Sequence, residues 1–363
     1  MRVLIAGGGT GGHLFPGMAL AEEIVRRGGE VRFVGGSRGI ETRAVPAAGY
    51  ALETLEVSGL VRMGFGGTLR GLFRVPCALV RSFLILRRFR PDVVVGVGGY
   101  ASGPMLLAAV LAGYATAVQE QNSVPGFTNR VLGKLVAVVF VAFEDAAPRF
   151  PARKLVRLGN PVRGKIVAAL EGAAAGPASS DKPRVLVVGG SQGARAVNEL
   201  VVAAAPLLVE AGVDFSLVHQ TGAAEQEKIA ERYRALGLGD RVTVTAFIDD
   251  MAAAYAAADL VIARAGALTL AELAIAGKPA ILIPLPTAAD DHQSKNAARF
   301  AAAGAAVVLD QRQASPADLA ARVRELAQSR ERRAAMRAAM RGLARPRAAQ
   351  AIVDHLEALT RGR

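Results

Sequence analysis

At 363 residues, with 52 % hydrophobic and 21 % charged side chains, the chain is long enough for two cores and too apolar for a disordered polyelectrolyte. A single cysteine, Cys77, excludes a disulfide framework. Four dispersed histidines (His13, His219, His292, His355) exclude a local metal-binding cluster, so a reducing compartment and no protein-held metal are expected. The net charge of +13 admits a polyanionic partner, but no nucleic-acid-binding motif accompanies it and nucleic acid is not expected.

The chain opens on a short aliphatic strand, Arg2-Val3-Leu4-Ile5-Ala6, then a glycine loop through Gly12 that carries Thr10 and ends at His13. An amphipathic helix with Met18, Leu20, Ala21 and Ile24 follows. The apolar run before the loop is too short for a signal peptide, so no export is expected. A second strand is read at Glu30–Gly35.

From Val57 to Pro91 there are seven arginines (Arg62, Arg70, Arg74, Arg81, Arg87, Arg88, Arg90) and no acid. They alternate with Leu69, Leu72, Phe73, Leu79, Val80, Phe83, Leu84, Leu86 and Phe89. Such a stretch reads either as a helix packed on a sheet or as one lying on an anionic membrane surface.

Val93 to Gln119 carries no charge and is long enough to span a bilayer. Gly96, Gly98, Gly99 and Gly103-Pro104 interrupt it, however. A strand at Val93–Val97, a helix from about Pro104 preceded by Ser102, and a strand at Thr116–Val118 account for every interruption. A further strand is read at Ala137–Ala142 and a hinge near Gly159–Arg163. Ala168–Pro183, rich in Ala, Gly, Ser and Pro, reads as a surface loop.

The opening then repeats. Arg184-Val185-Leu186-Val187-Val188 leads into Gly189-Gly190-Ser191-Gln192-Gly193 and a helix with Val197, Leu200 and Val201. Strands at Asp214–Gln220, Arg241–Ala246, Asp259–Ala263 and Pro279–Leu285 continue the alternation. Uniformly aliphatic strands separated by amphipathic helices imply parallel sheets covered on both faces, hence two doubly wound α/β domains. The basic run Arg322–Arg347 reads as the solvated face of a helix.

A glycine loop between a buried strand and a helix presents backbone N–H groups at the positive end of the helix dipole, which is an anion site. One such loop suits any dinucleotide enzyme, and Glu30 stands about where a ribose-binding acid would. Two loops on two similar domains suggest anionic groups arriving from both. His13 is a proton acceptor near neutral pH or a helix-start residue capping backbone. In the second half, Arg264-Ala265-Gly266-Ala267-Leu268-Thr269 follows a strand and opens a helix containing Glu272, which reads as a ribose ligand or as an acid offsetting the dipole. The polar cluster Asp290-Asp291-His292-Gln293-Ser294-Lys295-Asn296 emerges beyond the next strand. Neither Asp249-Asp250 nor Asp290-Asp291 has the D-x-D spacing of metal-held nucleotides.

Six segments in this order resemble the MurG family, the UDP-N-acetylglucosamine:muramyl-pentapeptide-pyrophosphoryl-undecaprenol transferases of the GT-B fold. They are Gly7–Gly17 (GGGTGGHLFPG), Gly96–Pro104 (GVGGYASGP), Glu120–Asn129 (EQNSVPGFTN), Gly159–Arg163 (GNPVR), Gly189–Asn198 (GGSQGARAVN) and Arg264–Glu272. The resemblance spans essentially the whole chain. It implies two doubly wound domains facing a cleft: 1–162 for the acceptor and membrane, 163–340 for the UDP-sugar, and a helix at 341–363 packing back on the first.

The resemblance further implies that uracil lies against Ile248 and ribose on Glu272. Diphosphate would meet Ser191, Arg163 and the helix start Ala267, Leu268, Thr269 and Leu270, with Thr10, Gly11 and Gly12 also on the donor. Asn122 and one of His292 and Gln293 would read the sugar. The lipid-diphosphate acceptor would meet Gly9, Thr10, His13, Gly98, Gly99 and Tyr100. Transfer would invert the anomeric centre, with His13 or Glu120 as base and no cofactor. Leu72, Phe73, Leu79, Phe83 and Leu86 would dock a peripheral enzyme on the cytoplasmic face of the inner membrane, beside other cell-wall enzymes. The competing readings are a diacylglycerol glycosyltransferase, a nicotinamide-dependent oxidoreductase and a polybasic adaptor.

Overall fold

The computed structural model describes residues 1–56, 65–173, 182–190 and 193–361, the side chains of 65–75 and 173 excepted. The chain forms two compact units: Met1–Gly164 with Pro346–Arg363, and Lys165–Arg345.

The first unit runs β1 (Arg2–Gly7), α1 (Gly11–Arg26), β2 (Glu30–Gly36), α2 (Glu41–Ala47), β3 (Ala51–Leu55), α3 (Phe65–Phe89), β4 (Val93–Gly98), α4 (Ser102–Leu111), β5 (Ala115–Glu120), α5 (Phe127–Leu132), β6 (Val138–Val141) and β7 (Leu155–Arg157). From Gly164 the chain continues through α6 (Gly164–Ala173), β8 (Arg184–Val188), α7 (Arg195–Glu210), β9 (Ser216–Gln220), α8 (Gln226–Ala235), β10 (Val242–Thr245) and α9 (Met251–Ala257). It goes on through β11 (Leu260–Ala263), α10 (Ala267–Ala276), β12 (Ala280–Leu282), α11 (His292–Ala302), β13 (Ala306–Val308), α12 (Pro316–Gln328) and α13 (Arg330–Gly342). Last, α14 (Ala348–Arg361) rejoins the first unit.

Both sheets are parallel throughout, ordered β3-β2-β1-β4-β5-β6-β7 and β10-β9-β8-β11-β12-β13. The order reverses between β1 and β4 in one and between β8 and β11 in the other. Ligands bind such sheets outside the carboxyl ends of the strands at that reversal. The central strands are aliphatic because helices cover both of their faces: Val3 and Ile5 turn to one layer with Leu20 and Ile24, Leu4 and Ala6 to the other with Leu106 and Phe89.

The charge-free stretch divides into β4, α4 and β5, each nearly wholly buried or packed. Among the described residues no helix is long and apolar enough to cross a membrane. Ser102 does not precede α4 but is its first residue, with Ala101 at the cap. Its buried hydroxyl lies 2.6 Å from the Ala6 carbonyl and accepts the Gly98 N–H at 3.2 Å, lacing the ends of β1 and β4 together. Pro279–Leu285 shortens to β12, since proline at both ends supplies no ladder donor. The edge strands β3, β7 and β13 are additions to the sequence reading.

The junctions fall at Gly164/Lys165 and Arg345/Pro346, so Arg163 stands on the first unit. The second unit extends past 340 because Met336 and Met340 of α13 are buried in it. Ile352, Val353 and Leu356 of α14 join the core beneath α1, and Arg27 pairs with Asp354 at 2.6 Å.

Candidate active site

In the first unit, two glycine turns leave β1 and β4 side by side. The Gly8 N–H donates to the Gly98 carbonyl at 3.2 Å. Gly98 and Gly99 have φ of +97° and +87°, and a Cβ on Gly99 would stand 2.4 Å from the Gly8 carbonyl oxygen. Only glycine permits both the left-handed backbone and this approach.

His13, in the first turn of α1, lies against this pair. A Cβ on Gly98 would meet its Cδ2 at 2.7 Å. Its Nδ1 is 3.4 Å from the Thr10 hydroxyl. The His13 and Leu14 amides donate to the Thr10 carbonyl, while those of Gly11 and Gly12 precede any helical acceptor. Gly9, Thr10 and Gly12 are exposed, as is Tyr100 at the mouth of the second turn. Arg163 lies with its guanidinium 5.2 Å from the Phe15 ring centroid, on the helix that bears His13. Its neighbour Gly164 donates its N–H to Glu22 at 3.0 Å.

Glu120 ends β5 and is 1 % exposed. Its carboxylate accepts from the Asn122 N–H (2.9 Å) and side chain (3.4 Å), the Gly126 N–H (3.3 Å) and the Asn129 side chain (2.9 Å). Burial raises its pKa against those bonds. With both oxygens occupied, Glu120 shapes the turn that carries Asn122, a half-buried side chain. Asn160 donates to the Gln121 carbonyl at 3.0 Å, joining the GNPVR and EQN segments.

In the second unit, the turn after β8 is held from behind. Gln220 donates to the Gly190 carbonyl at 2.8 Å, and a Cβ on Gly193 would stand 2.1 Å from the Thr221 carbonyl oxygen. Ser191 lies outside the described residues. Asn198 donates to the Thr221 carbonyl (3.0 Å) and Glu225 (2.8 Å), so its Oδ1 accepts from His219 Nε2 at 3.1 Å. The fully buried His219 then accepts a hydrogen bond from the Tyr233 hydroxyl on Nδ1 (3.0 Å), as the neutral Nε2–H tautomer. Burial pushes its pKa down to about 4.

Helix α10 starts at the end of β11. The Leu270 amide already donates to the Gly266 carbonyl at 3.0 Å, so the forward-facing amides narrow to the first turn, where those of Leu268 and Thr269 have no helical acceptor behind them. Glu272 stands in the second turn, buried, and accepts from the Tyr255 hydroxyl at 3.2 Å. Gln293 receives the Leu285 N–H at 3.0 Å and fixes the turn after β12, whereas His292 Nδ1 contacts the Ala289 carbonyl of its own turn at 2.7 Å. Ile248, half-buried, lies in the loop between β10 and α9. Among the described residues no three His, Cys, Asp or Glu side chains gather as a metal site.

Three of the five apolar residues assigned to a membrane patch have described side chains. Leu86 is 1 % exposed and belongs to the core with Ile85 and Phe89, while Leu79 and Phe83 are partly buried against it. The outward stripe of α3 is instead Cys77, Val80, Arg81, Leu84, Arg87 and Arg88. The side chains of Leu72 and Phe73 lie outside the described residues.

Sequence reasoning passed over Glu41. It is 1 % exposed and its two oxygens accept the Gly9 and Gly36 amides, each at 2.8 Å. The nearby Gly35-Gly36 and Gly39 were the available signal.

Two doubly wound units with glycine turns at both reversals have the GT-B architecture, and the family matches make the chain a two-domain glycosyltransferase. Residues 3–141 match the glycosyltransferase family 28 N-terminal domain, and residues 184–352 its C-terminal domain. The chain is 49 % identical over 365 residues to the UDP-N-acetylglucosamine--N-acetylmuramyl-(pentapeptide) pyrophosphoryl-undecaprenol N-acetylglucosamine transferase of Anaeromyxobacter dehalogenans, covering 100 % of this chain and 94 % of the relative. It is 49 % identical to the Myxococcus xanthus enzyme of the same name, over 98 % and 92 % of the two chains. The crystal structure of Acinetobacter baumannii MurG superposes with a TM-score of 0.80 at 33 % identity, covering 98 % of this chain and 99 % of that one. The chain belongs to the MurG family.

Proposed function

We propose that the chain transfers N-acetylglucosamine from UDP-GlcNAc to the 4-hydroxyl of undecaprenyl-pyrophosphoryl-N-acetylmuramyl-pentapeptide, forming the disaccharide lipid precursor of peptidoglycan. The observation that carries this reading is the position of the glycine turns: in each sheet they leave the two strands that flank the order reversal.

The donor diphosphate is assigned to the Leu268 and Thr269 amides at the α10 start. Ribose is assigned to Glu272, whose Tyr255 bond fixes the carboxylate. Uracil is assigned to the Ile248 loop. Gln293 is preferred to His292 for the sugar, because its bond to the Leu285 amide orients it. The acceptor diphosphate is assigned to the Gly11 and Gly12 amides, beside Tyr100.

His13 takes the proton of the acceptor hydroxyl as its oxygen bonds to the anomeric carbon. The bond from that carbon to phosphate breaks, and its electron pair leaves with UDP, inverting the centre. Glu120, closed off by its four hydrogen bonds, acts by shaping the Asn122 turn. No resident cofactor enters this scheme: the leaving charge is met by helix-start amides.

The lipid acceptor brings the enzyme to the cytoplasmic face of the inner membrane as a peripheral protein, where the other cell-wall enzymes act on the same lipid. Val80 and Leu84, 60 % and 62 % exposed, are the contact residues of α3. Leu111, Phe127, Val131 and Leu135, also exposed, lie on or just beyond α4 and α5, which share a core layer with α3, and Arg81, Arg87, Arg88 and Lys134 supply exposed cations.

Donor class is tested by thermal shift. UDP-GlcNAc should raise the melting temperature clearly more than UDP-glucose, with NADH inert. A rise with NADH and none with UDP-GlcNAc would remove this reading.

A further inference from the structure

Glu41 is a carboxylate with almost no access to water, and among the described residues no cation pairs with it. Its charge is met by backbone amides, Gly9 N–H on Oε2 and Gly36 N–H on Oε1, both at 2.8 Å. Four glycines leave room for it. A Cβ on Gly8 would stand 2.4 Å from its Cδ, one on Gly35 2.6 Å from its Cγ, one on Gly36 3.2 Å from Oε1 and one on Gly39 2.0 Å from Oε2. This is the chemistry by which glycine turns hold phosphate, with the anion supplied by the protein itself.

Two consequences follow. The Gly9 amide is already engaged, and a fixed negative charge stands behind Gly8 and Gly9, so an incoming diphosphate is directed onto the amides of Gly11 and Gly12. The turn is also pinned: Glu41 holds Gly9, Gly8 holds the Gly98 carbonyl, and the His13 ring lies on Gly98.

We infer that Glu41 is a positioning residue of the transfer reaction, setting the first glycine turn and through it the acceptor diphosphate and His13. This rests on the acceptor and base assignments proposed above.

The test compares Glu41→Ala, Glu41→Gln and His13→Ala with the unaltered protein, using a short-chain soluble acceptor. Glu41→Ala should lower kcat/KM for the acceptor by about tenfold or more, while the thermal shift given by UDP-GlcNAc is retained. Sodium formate, which fits the emptied amide nest, should restore part of the lost activity in Glu41→Ala and none in His13→Ala. Glu41→Gln keeps the volume but turns an N–H₂ toward one of the two amides, so it should lose activity without formate rescue, and it carries the test if the alanine variant does not fold. Activity within about twofold of the unaltered protein in Glu41→Gln, or a loss in folded Glu41→Ala that formate leaves unchanged, overturns the inference. Should His13→Ala stay active while Glu41→Ala is impaired and rescued, the base assignment falls and the positioning role stands.

Discussion

Replacing His13 with alanine should lower kcat for N-acetylglucosamine transfer by about 10²–10⁴-fold, the range over which a positioned general base contributes. UDP-GlcNAc affinity should stay nearly unchanged, because the residues assigned to uracil and ribose lie on the second unit. The only other base read from the sequence is Glu120. It is 1 % exposed and accepts hydrogen bonds from Asn122, Gly126 and Asn129, whereas His13 is half-buried at the mouth of two glycine turns. Glu120→Gln should therefore act mainly through stability and the Asn122 turn, with the pH dependence of kcat retained. Initial rates across pH with both variants check this. A pH profile that keeps its acidic limb in His13→Ala and loses it in Glu120→Gln would reverse the assignment.

The Val80→Ser/Leu84→Ser double variant should lose most binding to liposomes containing anionic lipid while keeping activity on a short-chain soluble acceptor. Each side chain contributes about 1.5–2 kcal/mol when moved from water to an apolar phase, so removing both lowers partitioning by about 100-fold or more. Binding by the unaltered protein should also fall with salt, since exposed Arg81, Arg87 and Arg88 lie along the same helix surface. Leu86→Ser is the contrasting control. Leu86 is packed with Ile85 and Phe89, and its loss should cost about 4 kcal/mol of stability, lowering binding and activity together. Sedimentation with liposomes, read beside thermal melts, separates the two. Full liposome binding by the double variant would remove α3 as the docking surface.

The fold was legible where physical constraint is local. A run such as Val-Leu-Ile-Ala ending in glycines can hardly be anything but a buried parallel strand feeding a turn, and β1, β4 and β8 are legible that way. The edge strands escaped because a three-residue strand such as β7 or β13 has no periodicity to detect. On α3 the composition identified a helix with apolar and basic residues, but not which apolar stripe faces the sheet. Leu86 differs from Leu84 by two residues in sequence and by a core against a surface in space. The site divides likewise. The glycine turns and His13 are motifs, readable in one line of sequence. Glu41 is satisfied by amides from two separate turns and accommodated by glycines from both. Its role is a tertiary fact that no single segment states. The EQN segment reads the other way round: an acid in a motif invites a catalytic reading, and only the fold shows that it is buried and engaged by four donors.

In the proposed reaction, amide turns on one unit hold a uridine diphosphate sugar and those on the other hold a lipid diphosphate. The most direct measurement offers radiolabelled UDP-GlcNAc with undecaprenyl-pyrophosphoryl-muramyl-pentapeptide in one reaction and with diacylglycerol in another, and follows label into the lipid phase. Label should enter only the first lipid, as a β-linked disaccharide. Label in diacylglycerol, or in neither lipid while the protein binds UDP-GlcNAc, would contradict the account.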